Sequence, residues 1–376
     1  MRLIIVLAMV AALPFFGAIS ALGVTIESKV KLARDYKPSG PVLKCGPEAS
    51  GDILSVNQLI PQIKMGCTII LTPGHYKIPL QITEGKVLIT GDGSGKKCDI
   101  DIRVLGRDCV VRNVWIDDLR ADRDIIVVDS IIGDLATAYN RERNYSKNQY
   151  IYNSCLEAVN MLYYTSKDMK VFLKKCVIVG ISGPAVSCGE NVRLAISDSV
   201  IVSRDIPFRF SSSYMYGKRK GKLTLDNCAI YGVNGLGKID HEIGKQAFTL
   251  KELKRLANVA FKNTAQAKPL FQNNFLDSKD RLYCTTPKMF IQTEDSPAKE
   301  KGPDPETHPI LSKHLNDPEP PKRPAAPPKK PVPAPRPTPP KPPSPPKKTP
   351  PKTKPENPKE NGEDDSDFGG IPKAPE

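Results

Sequence analysis

The sequence lacks a second long apolar run, which limits how the chain can meet a membrane. Only the opening stretch, MRLIIVLAMVAALPFFGAISALG, is long and apolar enough to enter a bilayer. Arg2 precedes its apolar run and small residues close it, the pattern of a secretory signal peptide over residues 1–23. The first cysteine, Cys45, is too far from this run for a lipoprotein. We expect an exported protein with no membrane span after cleavage, and an uncleaved anchor is the alternative.

The C-terminal part of the sequence lacks large apolar side chains. From Pro318 to Lys354 the chain consists mainly of proline and lysine, with no apolar residue larger than valine apart from proline itself. Such a segment cannot bury a core and favours extended polyproline II structure, at about 3.1 Å per residue. An acidic stretch follows it. We expect residues 291–376 to form a disordered tail, which either tethers the protein to an envelope component or forms a cationic brush on an anionic wall.

Acidic residues are fewer than basic ones. The chain has 55 Lys or Arg against 41 Asp or Glu. Between residues 24 and 298 the balance is 39 to 29, a net charge of +10, so the region before the tail is basic in its own right. For an exported protein this favours an acidic polysaccharide, a cell-wall polymer or anionic lipid headgroups as the partner, and disfavours nucleic acid.

A local pattern recurs through the middle of the chain. Stretches such as VFLKKCVIVG, LAISDSVIVS and LTLDNCAIYG share alternating apolar residues, a polar corner and then Cys or Ser. The marks of this register are Cys67, Val87, Cys109, Ser130, Cys155, Cys176, Ser199 and Cys228, about 22 residues apart. Period-2 runs at this spacing predict an all-β, single-stranded parallel β-helix of about eight coils. The chain would then keep turning after Pro73-Gly74, and an antiparallel sandwich is the alternative.

The same register gives most of the nine cysteines a place. We expect Cys67, Cys109, Cys155, Cys176 and Cys228 to stack inward as small buried side chains. Cys155 and Cys176 fall in consecutive coils, where they are either free thiols or bonded to each other. The cysteines off the ladder are the better disulfide candidates: Cys45, Cys98, Cys188 and Cys284. The corner residues before the marks are expected to be structural: Asp108, Asp129, Ser154, Lys175, Asp198 and Asn227.

Two amphipathic stretches are expected to cover the ends of the stack, because open strand edges aggregate. SVNQLIPQIK, residues 55–64, would cover the first coil. TLKELKRLANVAF, residues 249–261, predicts a C-terminal capping helix, with Thr249 and Glu252 as a capping box. The domain plan is therefore an N-terminal extension over 24–51 and a capped β-helix over 52–290.

Three segments resemble the right-handed parallel β-helix proteins of the pectate-lyase-like superfamily. They are VNQLIPQIKMGCTIILTPGHYKIPLQI, KVLITGDGSGKKCDI and AKPLFQNNFLDSKDRLYCTTP, and the resemblance covers about residues 52–290. It implies a right-handed coil, and a superfamily that includes lyases, hydrolases, esterases, epimerases and non-catalytic surface proteins. The polygalacturonase and methylesterase motifs are absent from the sequence. NVWIDDLRAD resembles the Trp-Ile-Asp-His stretch of pectate lyases, but Asp118 replaces the histidine.

Uronate lyases of this fold use calcium and an Arg or Lys base. The resemblance therefore implies that one acidic stretch of this chain is a candidate calcium site. Ca²⁺ held by Asp oxygens would neutralise a substrate carboxylate so that a base can remove the neighbouring proton. Alternation turns Asp99, Asp101, Asp118 and Asp122 outward as candidate calcium ligands, with Arg120 as the candidate catalytic base. His75 and Lys77 lie one coil earlier. The alternative is a solvated charged face whose acids and arginines pair across coils.

Two long loops suggest a sugar-binding groove. The stretches NRERNYSKNQ and SSYMYGKRKG interrupt the repeat, at residues 140–149 and 212–221. Aromatic faces stack on sugar rings, and Arg or Lys binds their carboxylates. The candidate substrate-binding residues are Tyr139, Arg141, Arg143, Tyr145, Tyr214, Tyr216 and Arg219. Ordinary surface loops are the alternative.

Together these features predict a periplasmic, cell-surface or secreted β-helix protein that recognises an anionic polysaccharide or cell-envelope polymer. The first alternative is a calcium-dependent polysaccharide lyase, or a related carbohydrate-active enzyme, acting on uronate polymers. The second is a structural or adhesive role towards a protein. A groove with Asp99, Asp101, Asp118 and Arg120 close together would favour the enzyme, whereas a flat face with these acids paired off would favour binding.

Overall fold

The computed structural model describes residues 26–136, 147–161, 169–211, 221–239, 247–256, 258–276 and 286–317. These residues form mostly parallel β-sheet with few helices. The strands are, in chain order, β1 (Val42–Cys45), β2 (Ile53–Leu54), β3 (Thr68–Leu71), β4 (Gly74–His75), β5 (Leu80–Ile82), β6 (Leu88–Gly91), β7 (Lys97–Val104), β8 (Cys109–Arg112), β9 (Trp115–Ala121), β10 (Ile125–Val128), β11 (Ile131–Ala136), β12 (Lys147–Tyr152), β13 (Cys155–Met161), β14 (Met169–Lys174), β15 (Val177–Gly180), β16 (Val186–Cys188), β17 (Val192–Ser197), β18 (Val200–Ser203), β19 (Phe208–Phe210), β20 (Lys222–Asp226), β21 (Ala229–Gly232), β22 (Gly237–Ile239), β23 (Val259–Lys262) and β24 (Ala265–Gln266).

Successive strands alternate between two long sheets. Sheet A has eleven strands in the order β2-β1-β3-β6-β8-β10-β12-β14-β17-β20-β23. Sheet B has thirteen, with β24-β21-β18-β15-β13-β11-β9-β7-β4 as its main path and β5, β16, β19 and β22 beside it. The strands β3 and β6 pair in parallel, so the chain does not double back after Pro73-Gly74. This arrangement is β-helix-like and excludes the antiparallel alternative for the described residues.

Sheet B bends along its length, which divides it into two wings. In β9, Trp115 and Ile116 pair with Ile131 and Ile132, whereas Asp118 to Ala121 continue beyond the bend. Wing 1 is the part before the bend and runs through β15, β18 and β21. Wing 2 is the part after it and runs through β16, β19 and β22. The bend matters because it creates a concave outward surface.

The corner between sheet A and wing 1 has a repeating backbone conformation. Positive φ angles occur there at Asn113, Asp129, Asn153, Lys175, Asp198, Asn227 and Asn263. Asn and Asp tolerate this left-handed conformation because their side chains bond nearby polar groups. Asn153 donates to Asp129 and Asn227 donates to Asp198, each at 2.7 Å. The corner acids are therefore structural, as expected from the sequence.

The predicted register contains two errors. At the corner before wing 1 the equivalent of Ser130 is Ser154 rather than Cys155, because Cys155 pairs with Ile131 in the next position. Ser154 is consequently not the left-handed corner residue; Asn153 is. The marks Cys67, Val87 and Cys109 belong to the other corner, where each precedes or begins a strand of sheet A. A shift of one residue turns a side chain to the opposite face, because strand side chains alternate.

The cysteines show the effect of that shift. Cys67, Cys109, Cys176 and Cys228 lie in the interior cluster between the sheets, but Cys155 packs in a separate cluster outside wing 1. All eight described cysteines are buried and free. The prediction of disulfides was therefore wrong for Cys45, Cys98 and Cys188, whose burial follows from their inward positions, and Cys284 lies outside the described residues.

Short helices lie at the ends of the stack and on one face of sheet A. Two short helices are α1 (residues 26–35) and α2 (Val56–Leu59), and α2 continues as a 3-10 turn, Ile60–Gln62. The predicted C-terminal helix is only α3 (Leu250–Leu253), begun by the expected Thr249 and Glu252 capping box. Residues 259–262 form β23 instead, because their alternating apolar residues pair with the free edge of β20.

The helix α1 packs on the outward face of sheet A. Ile26, Val30 and Ala33 cover Leu88 and Val128, among other apolar residues of the sheet. At its end Arg34 binds Asp129 with two hydrogen bonds, of 2.9 and 2.6 Å. The extension expected over residues 24–51 therefore contributes both a cover and, through β1, a strand of sheet A.

Residues 286–317, here named the C-terminal strap, lie across the outward face of wing 1. They include a 3-10 turn, Pro287–Phe290, and α4 (Leu311–His314). Their buried residues Met289, Ile310 and Leu311 pack on a face that includes Val177 and Val200. We expected the disordered tail to begin at residue 291, and for residues 291–317 that expectation was wrong. The residues from 318 onward lie outside the described part of the chain.

Candidate functional site

A cleft opens on the outward side of sheet B where the two wings meet. Its volume is about 440 Å³. Its polar lining consists of four carboxyl groups, three neutral polar residues and one arginine: Asp117, Asp118, Asp134, Glu157, Asn160, Ser182, Ser187 and Arg209. Backbone of residues 180–184 closes one side. Because most of these residues lie on hydrogen-bonded strands, the lining is held rigidly.

The floor of the cleft is shaped by a glycine. On adjacent strands Asp117, Gly133 and Glu157 occupy matching positions at the bend, as the pairing of their neighbours shows. A Cβ atom on Gly133 would lie 2.4 Å from the carbonyl oxygen of Asp117. Glycine is therefore required at this close approach, and it leaves an open space between the Asp117 and Glu157 side chains.

Three carboxylates stand in register beside that floor. Asp101, Asp118 and Asp134 pair at the same position of β7, β9 and β11. Neighbouring strands are about 4.8 Å apart, so each carboxyl group lies next to another of the same charge. Such a column destabilises the sheet unless protons or a cation relieve the repulsion, and Arg120, which pairs with Asp118 at 3.2 Å, relieves part of it.

The pKa values in this column respond to burial. Burial raises the pKa of the Asp134 carboxyl to about 6, and the nearby Asp118 contributes to the rise. Burial, followed by Asp118, also raises the pKa of Asp101. Burial raises the pKa of Glu157, which lies deeper in the cleft. The Oδ1 atom of Asp134 is enclosed and has no hydrogen-bond partner in the described structure. Near neutral pH the cleft thus holds carboxyl groups that exchange protons.

A second carboxyl pair lies next to the cleft, at a bulge in β7. The bulge places Asp99 near Asp117, and Asp99 also contacts the Nδ1 atom of His75 at 2.5 Å. The hydrogen bond with Asp117, followed by that with His75, lowers the pKa of Asp99 to about 2. Burial, followed by the bond to Asp99, raises the pKa of Asp117 to about 6. The two carboxyl groups share one proton, and Lys97 forms ion pairs with both.

The opposite wall of the cleft carries hydrogen-bond donors. Asn160, Ser187 and Arg209 occupy matching positions on β13, β16 and β19. Ser187 is 5% exposed, whereas Arg209 is half-buried and lines the cleft. The cleft therefore faces carboxyl groups on one side with amide, hydroxyl and guanidinium groups on the other.

The structure brings together only part of the predicted calcium site. Asp101 and Asp118 are register neighbours, and Arg120 forms an ion pair with Asp118 at 3.2 Å. Asp99 lies in the bulge, paired with His75. Asp122, which follows the end of β9, is 4% exposed and faces Arg103 at 3.6 Å, so it is buried against that arginine instead of standing open on the outward face. Within the described ranges, no three His, Cys, Asp or Glu side chains are arranged to hold a metal ion.

The predicted sugar-binding loops cannot be compared with the structure. Tyr139, Arg141, Arg143, Tyr145, Tyr214, Tyr216 and Arg219 all lie outside the described residues. Residues 147–149 of the first predicted loop belong to β12, and of the described strands before the two loops, β11 ends in wing 2 and β19 lies within it. Both loops therefore leave from the wing that carries Arg209.

Sequence reasoning missed several cleft residues. Asp117 was not among the predicted site residues, although the doubled acid Asp117-Asp118 coincides with the bend. Glu157 belongs to the strand whose register depended on the misplaced Cys155, whereas Arg209 follows the correctly placed Ser199 and was not singled out. Asp134 had a signal, since it follows the only glycine in an otherwise apolar strand, IIGDLA.

The chain matches no family model, no curated protein and no solved structure. No helix among the described residues is long and apolar enough to cross a membrane.

Proposed function

We propose that this protein is an exported right-handed parallel β-helix of about eight coils, related to the pectate-lyase-like superfamily, that binds a polysaccharide in the cleft of sheet B. The observation that carries the proposal is the lining of the cleft. Carboxyl, amide, hydroxyl and guanidinium groups converge on one concave surface of rigid strands. Sugar hydroxyl groups donate and accept hydrogen bonds, and this mixture of groups serves both roles.

An anionic polysaccharide, such as a uronate polymer or a cell-envelope polymer, is the ligand class we propose. Arg209 supplies a guanidinium group that binds a carboxylate with two hydrogen bonds. Asp134 and Asp117 have pKa values of about 6, so in mildly acidic conditions they carry protons and donate hydrogen bonds to a ligand carboxylate. The basic charge balance of residues 24–298 attracts such a polymer. The cleft should therefore bind uronates better at about pH 5 than at about pH 8.

Catalysis on the same polymer is the second candidate, as a carbohydrate-active enzyme. The Asp99 and Asp117 pair favours it, because one carboxyl group is ionised while its neighbour keeps a proton near neutral pH. Two carboxyl groups held at different protonation are what acid and base roles require. We derive no step through calcium, because the residues expected to bind it are not gathered in one group. Arg120 remains a candidate base only for a lyase.

The test is polymer binding and cleavage by the full chain. Polygalacturonate, alginate, glycosaminoglycans and peptidoglycan are incubated with calcium or with chelator, followed by co-sedimentation, absorbance of unsaturated uronates and an assay of new reducing ends. Binding that is lost in Arg209→Gln and retained in Arg107→Gln, whose side chain is exposed elsewhere, supports the proposal. New ends that vanish in Asp117→Asn would establish the enzyme. Binding to none of these polymers would refute the proposal.

A further inference from the structure

A histidine is fully buried where the C-terminal strap meets the rest of the fold. His308 is 0% exposed and lies in the strap, shortly before α4. Its charged and polar neighbours come from two other elements. Arg34 lies near the end of α1, and Asp129 and Asn153 belong to the left-handed corner between sheet A and wing 1. The ring therefore stands at a junction of three parts of the chain.

The hydrogen bonds of His308 fix its protonation. Its Nδ1 atom accepts hydrogen bonds from the backbone amides of Ile310 and Leu311, each at 3.2 Å. A ring nitrogen that accepts N–H groups carries no proton, so the ring is neutral with its proton on Nε2. The Nε2 atom is enclosed beside the backbone of Asn153. Protonation of Nδ1 would break both bonds and leave two buried amide groups facing a third donor.

The ring bonds to the two residues that carry much of the strap's apolar contact. Ile310 and Leu311 are buried, and with Met289 they pack on the face of wing 1 that includes Val177 and Val200. Because the imidazole accepts from the amides of Ile310 and Leu311, loss of these bonds acts directly on the residues that hold the strap in place. The charge of one ring is thus connected to the docking of the whole segment.

A positive charge on the ring would be poorly compensated. Asp129 attracts such a charge, but both of its carboxylate oxygens are already engaged. Arg34 donates to them at 2.6 and 2.9 Å, and Asn153 donates to one of them at 2.7 Å. Arg34 also repels a second cation. Burial is the largest influence and outweighs the attraction of Asp129, so the pKa of His308 is lowered to about 4.

We infer that His308 is a latch that holds the strap on wing 1 near neutral pH and releases it in acid. In the released strap the ring is solvated, and its pKa returns to about 6.5, the value of an ordinary histidine. The released state therefore takes up a proton more readily than the docked state. Between about pH 7.5 and about pH 4, the ratio of released to docked strap should rise on the order of a hundredfold. Release uncovers the apolar face at Val177 and Val200.

A second histidine of the strap provides a matched control. In α4, His314 places Nδ1 2.6 Å from the carboxylate of Asp317 and Nε2 3.0 Å from the carbonyl oxygen of Gly95. Both partners accept hydrogen bonds, so a charged ring at this position donates to both. Acid therefore does not break the contacts of His314 as it breaks those of His308.

The first experiment measures hydrogen exchange of the full chain by mass spectrometry from about pH 7.5 to about pH 4, relative to the unfolded chain at each pH. Amides of residues 310–313 should lose protection at least about tenfold in acid, while those of β14 and β17 stay protected. His308→Asn keeps an oxygen acceptor for the two amides and should lose less than about twofold, whereas His314→Asn should keep the full acid response. No acid response in wild type, or an equal one in His308→Asn, would overturn the inference.

The second experiment needs only the wild-type chain. Cys155 lies in the apolar cluster that includes the strap, whereas Cys176 and Cys228 lie between the sheets. The chain is labelled with 4,4′-dithiodipyridine across the same pH range, each rate is divided by that of the denatured chain, and the labelled positions are identified by mass spectrometry. Labelling of Cys155 in acid ahead of the other two supports the latch. Labelling of all three at one rate would show global unfolding and overturn it. Neither experiment uses the polymer, so the latch and the proposed function can fail independently.

Discussion

Replacing Asp134 with asparagine should stabilise the protein above neutral pH and leave it unchanged in acid. The pKa of Asp134 is about 6 in the folded protein, and an unfolded aspartate has a pKa of about 3.9. The folded state therefore binds this proton more tightly, so stability falls as the pH rises from about 4 to about 6. The pKa difference sets an upper limit of about 3 kcal/mol, and water at the cleft mouth reduces it to on the order of 1 to 2 kcal/mol.

The assay is urea unfolding of the full chain, followed by circular dichroism at pH 4 and pH 7.5. Asp134→Asn should match wild type at pH 4 and exceed it by about 1 to 2 kcal/mol at pH 7.5. Asp35→Asn, at an exposed position of α1, controls for the general effect of removing a negative charge. An Asp134→Asn variant less stable than wild type at pH 7.5 would refute the reasoning, because it would mean that the carboxylate is stabilised rather than strained in the cleft.

Three further predictions concern other parts of the molecule. Gly133→Ala should lower the unfolding free energy by about 1 to 3 kcal/mol, because its Cβ atom would clash with the carbonyl oxygen of Asp117. An unchanged urea midpoint would contradict this close approach. Burial lowers the pKa of His308 to about 4, below the value of about 6.5 in an unfolded chain, so the stability that its neutral form provides is lost as the pH falls from about 6.5 to about 4. The melting temperature of His308→Asn should change less with pH across that range than that of wild type. An equally steep change would exclude His308 as the cause. At neutral pH the eight cysteines in the described part of the chain should react with a thiol reagent only after denaturation, because all eight are buried. Rapid labelling of Cys155 in the native protein would show that the strap does not cover it.

The parallel arrangement could be predicted because each repeat is marked by residues that lie close together in the sequence. Asp129, Lys175, Asp198 and Asn227 mark the corner that precedes each buried small residue, and all four have the expected left-handed backbone. Period-2 alternation then places the apolar side chains inside. These signals need only a few neighbouring residues, so one sequence suffices.

The register error had a physical origin. In YIYNSCLEAV both Ser154 and Cys155 are small and buried, so either fits the mark by chemistry alone. The structure separates them because Ser154 bonds to the backbone amide of Ser130 at 3.3 Å, as the inward corner position requires. Cys155 instead faces the strap.

The strap was missed because it has no periodic pattern. Its buried residues Met289, Ile310 and Leu311 are spread among prolines and charges. The signal lay elsewhere, in VIVG and VIVS, residues 177–180 and 200–203, which are apolar on both faces. A strand of that kind needs a cover on each side, so a covering segment was implied although its sequence was not.

The cleft was harder to predict than the fold, because it depends on where sheet B bends. Asp101 and Asp118 were placed on the same outward face correctly, and Arg120 beside them. The bulge at Asp99 and the burial of Asp122 against Arg103 shift two of the four predicted acids out of that group. Bends and bulges arise from the packing of neighbouring strands, which a period-2 pattern does not encode.

The measurement that tests the central claim most directly is isothermal titration of an oligogalacturonate into the full chain and its Arg209→Gln variant, at about pH 5 and about pH 8. The account predicts saturable binding by wild type that weakens from pH 5 to pH 8, and at least about tenfold weaker binding by the variant at pH 5. Equal affinities of the two proteins would contradict the claim that this cleft binds the polymer.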